Sequence, residues 1–528
     1  MRKRLFKKSK KQILPCIGFS IATGFFSAII ITLFKICTEA VVHLSSSIYT
    51  AVRIAPIWLP ALALGAAAIG LLASFLYSLS TSCRGGGIPS SVAAIRGILS
   101  FRWWSNLIIL PISALVSFFC GLPLGTEGPC VQLGTAIGDG VIHCFAKEKH
   151  KGWRRYVMTG GASAGFSIAT SSPITAIIFS MEELHKHFSP LIMMVASISV
   201  MTAQVTVQAF SFLGIESSGL FHIPEIQAID AKLLFAPLVI GIVCGIGSLL
   251  FTTLYQRTNK IVHALLKKVS VKIILPLLFA SVAIVGFLVA DSLGSGHSLI
   301  ENLLTTPSAW YFLVLIFLIR AIVMIISNTA GVTGGVFLPT LSFGALIGAL
   351  CGKALIRFGL ISPEYYILMV ILGIAAFLGA TSHIPVTASV FAIEALGGFN
   401  NTLPVIIAVT AAFLIIEAVG MTDFTDTVIE SKIRSIKKGK TATIVDVSLT
   451  VTKNAFAIGK EMRDILLPNA CFVVSIERTP EHKGKHEILE GDVIAVHYKT
   501  YNPAATAEEL TVIMGEQAEQ VRKAMNPS

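Results

Sequence analysis

The chain repeats itself. At an offset of about 210 residues, Gly125, Pro129, Gly134, Ile137 and Gly138 recur as Gly335, Pro339, Gly344, Ile347 and Gly348, and the segment 173–184 returns as 385–396 with its Pro, Thr, Ala, Phe, Glu and Leu in step. Such a duplication confines the fold to one built from two related halves, with expected limits near 14–215 and 228–430. The copies differ at two carboxylates. Phe337 stands opposite Glu127 and Ala395 opposite Glu183, whereas Glu182 keeps a counterpart in Glu394. A carboxylate kept in both halves is expected to be structural; one present in a single half asks for a functional reason.

Composition places the duplication in a membrane. Only 13% of the 528 residues are charged and 54% are hydrophobic, against about a quarter charged in soluble domains. Apolar stretches near 13–34, 57–80, 107–122, 156–181, 190–213, 233–255, 272–291, 311–326, 366–396 and 403–420 are helix candidates. Several are shorter than the roughly 20 residues that cross hydrocarbon, so some helices must stop partway, where broken backbone faces a cavity instead of lipid. The expected fold class is an all-α polytopic membrane protein with an inverted-topology repeat, followed by a small cytoplasmic α/β domain. The first apolar run exceeds a signal-peptide core and is expected to be a retained helix.

The net charge of +12 comes largely from clusters at residues 2–11 and 432–440. Flanking apolar segments, these fit the positive-inside rule better than a nucleic-acid surface, so no nucleic acid is expected, both ends of the membrane region are expected in the cytoplasm, and the protein in the cell membrane. Residues 1–13 form a basic N-terminus and 431–440 a linker. The nine cysteines are scattered without a C-x-x-C pair, which argues against a zinc site and a disulfide scaffold; they are expected to be reduced core residues. No cofactor or metal is expected.

Three glycine-rich segments interrupt apolar runs: 85–89, 125–129 and 334–339, each ending in proline. Proline suits the first turn of a helix and glycine lets backbone approach a ligand closely, so each segment predicts a helix N-terminus. Three such ends converging at mid-membrane would hold a small anion with free N–H groups and helix dipoles. Glu127 lies within the second segment. Ionised, it would occupy an anion site as a tethered competitor, and protonation would release it, linking anion and proton occupancy.

These segments resemble the filter motifs of the CLC family of chloride channels and chloride/proton exchangers, usually G-S-G-I-P, G-R-E-G-P and G-x-F-x-P, and the segment 173–183 is similar to the family's P-x-x-A-x-x-F-x-x-E-E. The resemblance spans about 14–430. It implies that Glu127 is the gating glutamate, that Glu183 relays protons from the cytoplasmic side, and that Gly86, Gly87, Ile88, Gly128, Val336, Phe337 and Phe424 surround the anion. It also implies a homodimer with a pathway in each subunit. Three departures stand out: Gly86 replaces a serine, Thr126 an arginine, and Phe424 the tyrosine that reaches the central site. The two lost hydroxyls imply weak central binding.

From about residue 441 strand-like segments 441–447, 471–477 and 493–496 and a helix-like 459–467 form the appended domain, which resembles TrkA-C regulatory domains and so implies a small cytoplasmic ligand. The expected function is transport of a small inorganic anion, chloride first, coupled to proton antiport. The alternatives are a passive voltage- or ligand-modulated chloride channel and an exchanger for nitrate or fluoride. An enzyme is not expected: Gly161–Gly165 matches a nucleophile elbow only formally, inside an apolar helix.

Overall fold

The computed structural model describes residues 2–515 apart from 86, 100–101, 216–218, 225, 306–307, 437–442, 454, 469–470, 480–481, 483–485 and 501–502. Helices in the first half are α1 (Arg2–Ile54), α2 (Leu59–Leu79), α3 (Ile88–Ile95), α4 (Trp103–Phe119), α5 (Glu127–Phe145), α6 (Arg154–Thr170), α7 (Pro173–Phe179) and α8 (Pro190–Ser211). The second half holds α9 (Phe235–Lys268), α10 (Val271–Leu288), α11 (His297–Thr305), α12 (Trp310–Thr329), α13 (Phe337–Arg357), α14 (Tyr366–Ser382), α15 (Pro385–Ala395) and α16 (Thr402–Val419), followed by α17 (Phe424–Ile436). Among the described residues nine helices are long and apolar enough to cross a membrane.

The centre is built without lipid contact. From Glu127 to Ile142 every residue of α5 is buried, as is α6 from Arg155 to Thr170. Small residues bring these helices into backbone contact: a Cβ on Gly134 would lie 2.0 Å from the Gly161 carbonyl oxygen. The second repeat solves the same problem in the same way, with a Cβ on Gly344 falling 2.5 Å from the Gly373 oxygen of α14. The repeated glycines at 134/138 and 344/348 therefore close-pack helices, as small residues do between membrane helices.

Several expected elements shift. The first run is far longer than 13–34, and the basic residues 2–11 continue into α1 as its opening turns. The runs 156–181 and 366–396 each break in two, at Ser171–Ser172 and at His383–Ile384, where Ser171 and His383 take left-handed backbone. α17 extends to Ile436, so the expected linker 431–440 is helical in its first half. Cys37 and Cys144 are exposed, outside the core expected for them.

The appended domain holds a three-stranded antiparallel sheet of β1 (Thr443–Thr450), β2 (Cys471–Glu477) and β3 (Val493–Thr500) in the order β1-β3-β2, covered by α18 (Pro503–Met514). Val445, Val447, Leu449, Ile494, Val496, Leu510 and Met514 share its core. The helix expected over 459–467 is absent apart from one 3-10 turn, Met462–Asp464. Backbone groups there pair elsewhere: the Gly459 and Ile488 N–H groups donate to Ile488 and Lys460 carbonyls, at 2.8 and 2.9 Å. The domain docks on the membrane part through Phe456, 4.9 Å from Trp153 edge to face, through Ser189 Oγ donating to Asp464 at 2.8 Å, and through the Arg155–Glu509 ion pair at 2.5 Å.

Candidate functional site

The three glycine-rich loops meet. Gly125 and Gly335, equivalent in the two repeats, exchange backbone hydrogen bonds of 2.7 Å in both directions. A Cβ on Gly128 would lie 2.6 Å from Gly335 Cα and 3.0 Å from Gly87 Cα, so no side chain fits between the loops. Gly87 itself has φ +120°, a backbone that side chains disfavour. Immediately beyond, Ile88, Glu127 and Phe337 open α3, α5 and α13. The first residues of a helix have no intrahelical acceptor for their N–H groups, and three positive helix ends converge here, a setting that favours an anion.

The expected donors are not equivalent. Ile88, Gly128, Val336 and Phe337 lie at or beside the three helix starts as expected. Gly87 departs from its expected role, because its N–H donates to Gln132 Oε1 at 2.6 Å. Gln132 is held in turn by donating to Asn106 Oδ1 at 2.8 Å and the Ser82 carbonyl at 3.1 Å. Gly86 lies outside the described residues. The first loop is further braced by Lys432 of α17, whose Nζ donates to the Gly85 carbonyl at 2.8 Å and Ser90 Oγ at 2.5 Å.

Glu127 is fully buried. Its Oε1 accepts from Thr126 Oγ1 at 3.3 Å, so the residue in the place of the family's arginine touches the carboxylate. Oε2 has no hydrogen-bond partner among the described residues, and a Cβ on Gly125 would meet it at 2.3 Å. The carboxylate thus folds back over the loop that joins the two repeats. Opposite it in the duplication, Phe337 packs edge-on against Phe166 and Phe391, at 5.1 and 5.6 Å.

Glu182 and Glu183 part company in a π-helical turn, Ser180–His185. Glu182 crosses to the other repeat and accepts from the Val386 and Thr387 N–H groups at 3.0 and 2.6 Å, capping α15. Glu394 does the same for α7 at Ile174 and Thr175, at 2.9 and 2.7 Å. The repeated carboxylates are structural, as their repetition implied. Glu183 instead points inward, 2% exposed, its Oε1 accepting from Thr425 Oγ1 at 2.5 Å and its Oε2 without a hydrogen-bond partner among the described residues. Arg96 holds the backbone around it, donating to the Glu183 and Leu184 carbonyls at 3.0 and 2.9 Å and pairing with Asp426 at 3.1 Å. Lys186 completes the cluster on Asp423 and Asp426.

Phe424 precedes Thr425 at the start of α17. Its buried ring packs on Tyr255 at 4.6 Å, and the Tyr255 hydroxyl donates to Asn328 at 2.8 Å. Gln132, Thr425, Tyr255 and Lys432 carry no local sequence signal; Lys432 lies in the basic segment 432–440.

A family model described as voltage gated chloride channel matches residues 69–417, a stretch that contains all three loops, both unrepeated carboxylates and both repeats of the cap. The chain belongs to the voltage-gated chloride channel family. Within this family, the curated relatives include the H(+)/Cl(-) exchange transporter ClcA of Klebsiella pneumoniae, 26% identical over 343 residues, covering 64% of this chain and 71% of the relative. ClcA of Vibrio campbellii is 25% identical over 370 residues, covering 69% and 78%. Among solved structures the fold is similar to that of a slow cyanobacterial Cl-/H+ antiporter, with TM-score 0.71 and 21% identity over 79% of this chain and 98% of that one. It is also similar to a CLC-type fluoride/proton antiporter, with TM-score 0.64 and 19% identity over 77% and 96%. The family match stops before Phe424 and the appended domain.

Proposed function

We propose that this protein exchanges chloride for protons across the cell membrane. The observation that carries the proposal is the pair Glu127 and Glu183: each is confined to one repeat, each is buried, and each keeps one carboxylate oxygen without a hydrogen-bond partner among the described residues. A buried acid with a vacant oxygen can take up and release a proton, and in a membrane protein such a group is expensive unless it serves a pathway. The relatives named as H(+)/Cl(-) exchangers support the same activity.

In this mechanism the N–H groups of Ile88, Gly128, Val336 and Phe337 bind the anion. Glu127, ionised, competes for those dipoles; protonated, it yields to the anion. Glu183 passes protons between the interior and the face that bears the appended domain, which is the cytoplasmic face. Thr425 orients its carboxylate and ties it to the helix that begins with Phe424. The appended domain regulates, and two copies of the chain form a dimer with separate pathways. A catalytic Ser163 finds no support, since its hydroxyl lies in mid-helix and donates back to the Thr159 carbonyl at 2.9 Å.

The test is chloride-driven proton movement in proteoliposomes. The native protein is expected to move protons uphill, and Glu127→Gln and Glu183→Gln each to abolish that movement while Glu183→Gln retains chloride flux. Proton movement that survives both substitutions overturns the roles assigned here.

A further inference from the structure

Between the membrane part and the appended domain lies a cavity of about 330 Å³. Its walls carry Arg96, Arg155, His185 and His187 from one side and Arg463 from the other, and among the described residues no aspartate or glutamate lines it. The carboxylates that pair with the arginines, Asp426, Glu509 and Glu461, stand outside the wall. They and backbone carbonyls hold the guanidinium groups in place: Arg155 donates to the Leu467 carbonyl and to Glu509, and Arg96 to the Glu183 and Leu184 carbonyls. The rest of the lining is Ile95, residues 465–468 and Cys471.

A concave site of this size, apolar with a few convergent polar groups, has the build of a small-molecule pocket. An arginine carries five N–H donors; Arg96 commits three of them and Arg155 two to the partners named, so N–H groups of fixed direction remain, which suit the oxygens of a phosphate. The apolar wall would take a flat organic group attached to that phosphate. We propose that this cavity binds a phosphate-bearing cytoplasmic anion and that the bound anion slows exchange through Arg96. Arg96 joins the two sites: its guanidinium lines the cavity and also holds the backbone of Glu183. A phosphate that draws Arg96 toward itself loosens that hold, and the Glu183 carboxylate loses its alignment with Thr425. The proposal rests on the role given to Glu183 above.

The test uses the full-length protein in detergent, titrated calorimetrically with adenosine monophosphate and with inorganic phosphate, at fixed chloride. Arg463→Gln and His187→Gln are the variants, since both side chains are exposed and neither belongs to the transport machinery. Binding of either probe that weakens about tenfold or more in Arg463→Gln supports the site, as expected for loss of a hydrogen-bonded charge. Tighter binding of the nucleotide identifies an organic phosphate, and equal binding identifies free phosphate. No binding at millimolar probe, or affinity unchanged in both variants, overturns the site. In proteoliposomes, the tighter-binding probe on the side of the appended domain is expected to slow chloride-driven proton movement in the native protein and not in Arg463→Gln; an unchanged rate overturns the coupling. Failure of proton movement without any probe counts instead against the exchange mechanism, so the two failures are distinguishable.

Discussion

Phe424 leaves the central site without the hydroxyl that the CLC resemblance leads one to expect. Its ring is fixed by Tyr255 and Phe251, at 4.6 and 5.9 Å, so a para hydroxyl would point in one direction. Phe424→Tyr is therefore expected to tighten chloride binding by tenfold or more in a calorimetric titration, because a hydrogen bond to a charged group contributes about 1.5–3 kcal/mol; an unchanged affinity would show that the ring does not face the anion. Glu127 and Glu183 were legible in the sequence because duplication supplies an internal control: each has an uncharged counterpart at the matching position. Their partners were not legible. Thr425 meets Glu183 across 242 positions and Gln132 meets Gly87 across 45, and a single polar residue in an apolar run carries no sign of which distant group it satisfies. Gly87 shows the limit of motif reasoning, since a glycine in the right loop can spend its N–H on the protein, here on Gln132.

Helix ends organise the molecule. Glu182 caps α15 and Glu394 caps α7, each with two backbone N–H groups and a threonine hydroxyl, so the two repeats clasp one another through equivalent carboxylates. Glu394→Gln is expected to lower stability by about 1–2 kcal/mol, the scale of a carboxylate at a helix N-terminus, seen as a lower thermal midpoint with the proton-to-chloride ratio unchanged. A changed ratio would mean that the cap takes part in transport. Helix starts at Ile88, Glu127 and Phe337 were legible from Gly and Pro chemistry alone. The body of α5 does not read as an apolar run, because its glycines with Gln132, Thr135 and Asp139 lower its hydropathy, whereas α13 is apolar enough to cross a membrane and lies outside the stretches expected from sequence. Over 459–467 the local pattern suggested a helix, but pairing with 487–488 took its backbone groups.

At the scale of the whole molecule, the appended domain is joined to the membrane part by an aromatic contact that encloses a lysine. Lys460 Nζ lies 3.7 Å from the centre of the Phe456 ring and 5.1 Å from that of Trp153, and burial pushes its ammonium down to about 8 from an ordinary 10.5. Between these values the unfolded chain binds more protons than the folded one, so stability rises with pH across about 8 to 10.5 and the full penalty applies below 8. The gain is expected to be ~3 kcal/mol at most, read from thermal melts followed by tryptophan fluorescence, and Lys460→Met is expected to flatten it; an equal slope in that variant would assign the effect elsewhere. The order of parts, a duplicated membrane body followed by a small α/β domain, was legible from composition and spacing, whereas the docking surface was not, because its residues become neighbours only when both parts have folded. Coupled exchange makes one further demand on the whole protein. With a chloride gradient held constant, the voltage of zero net flux is measured in proteoliposomes as a pH gradient is varied. Exchange through Glu127 and Glu183 requires that voltage to shift with the pH gradient, and a voltage set by chloride alone, indifferent to pH, would contradict it.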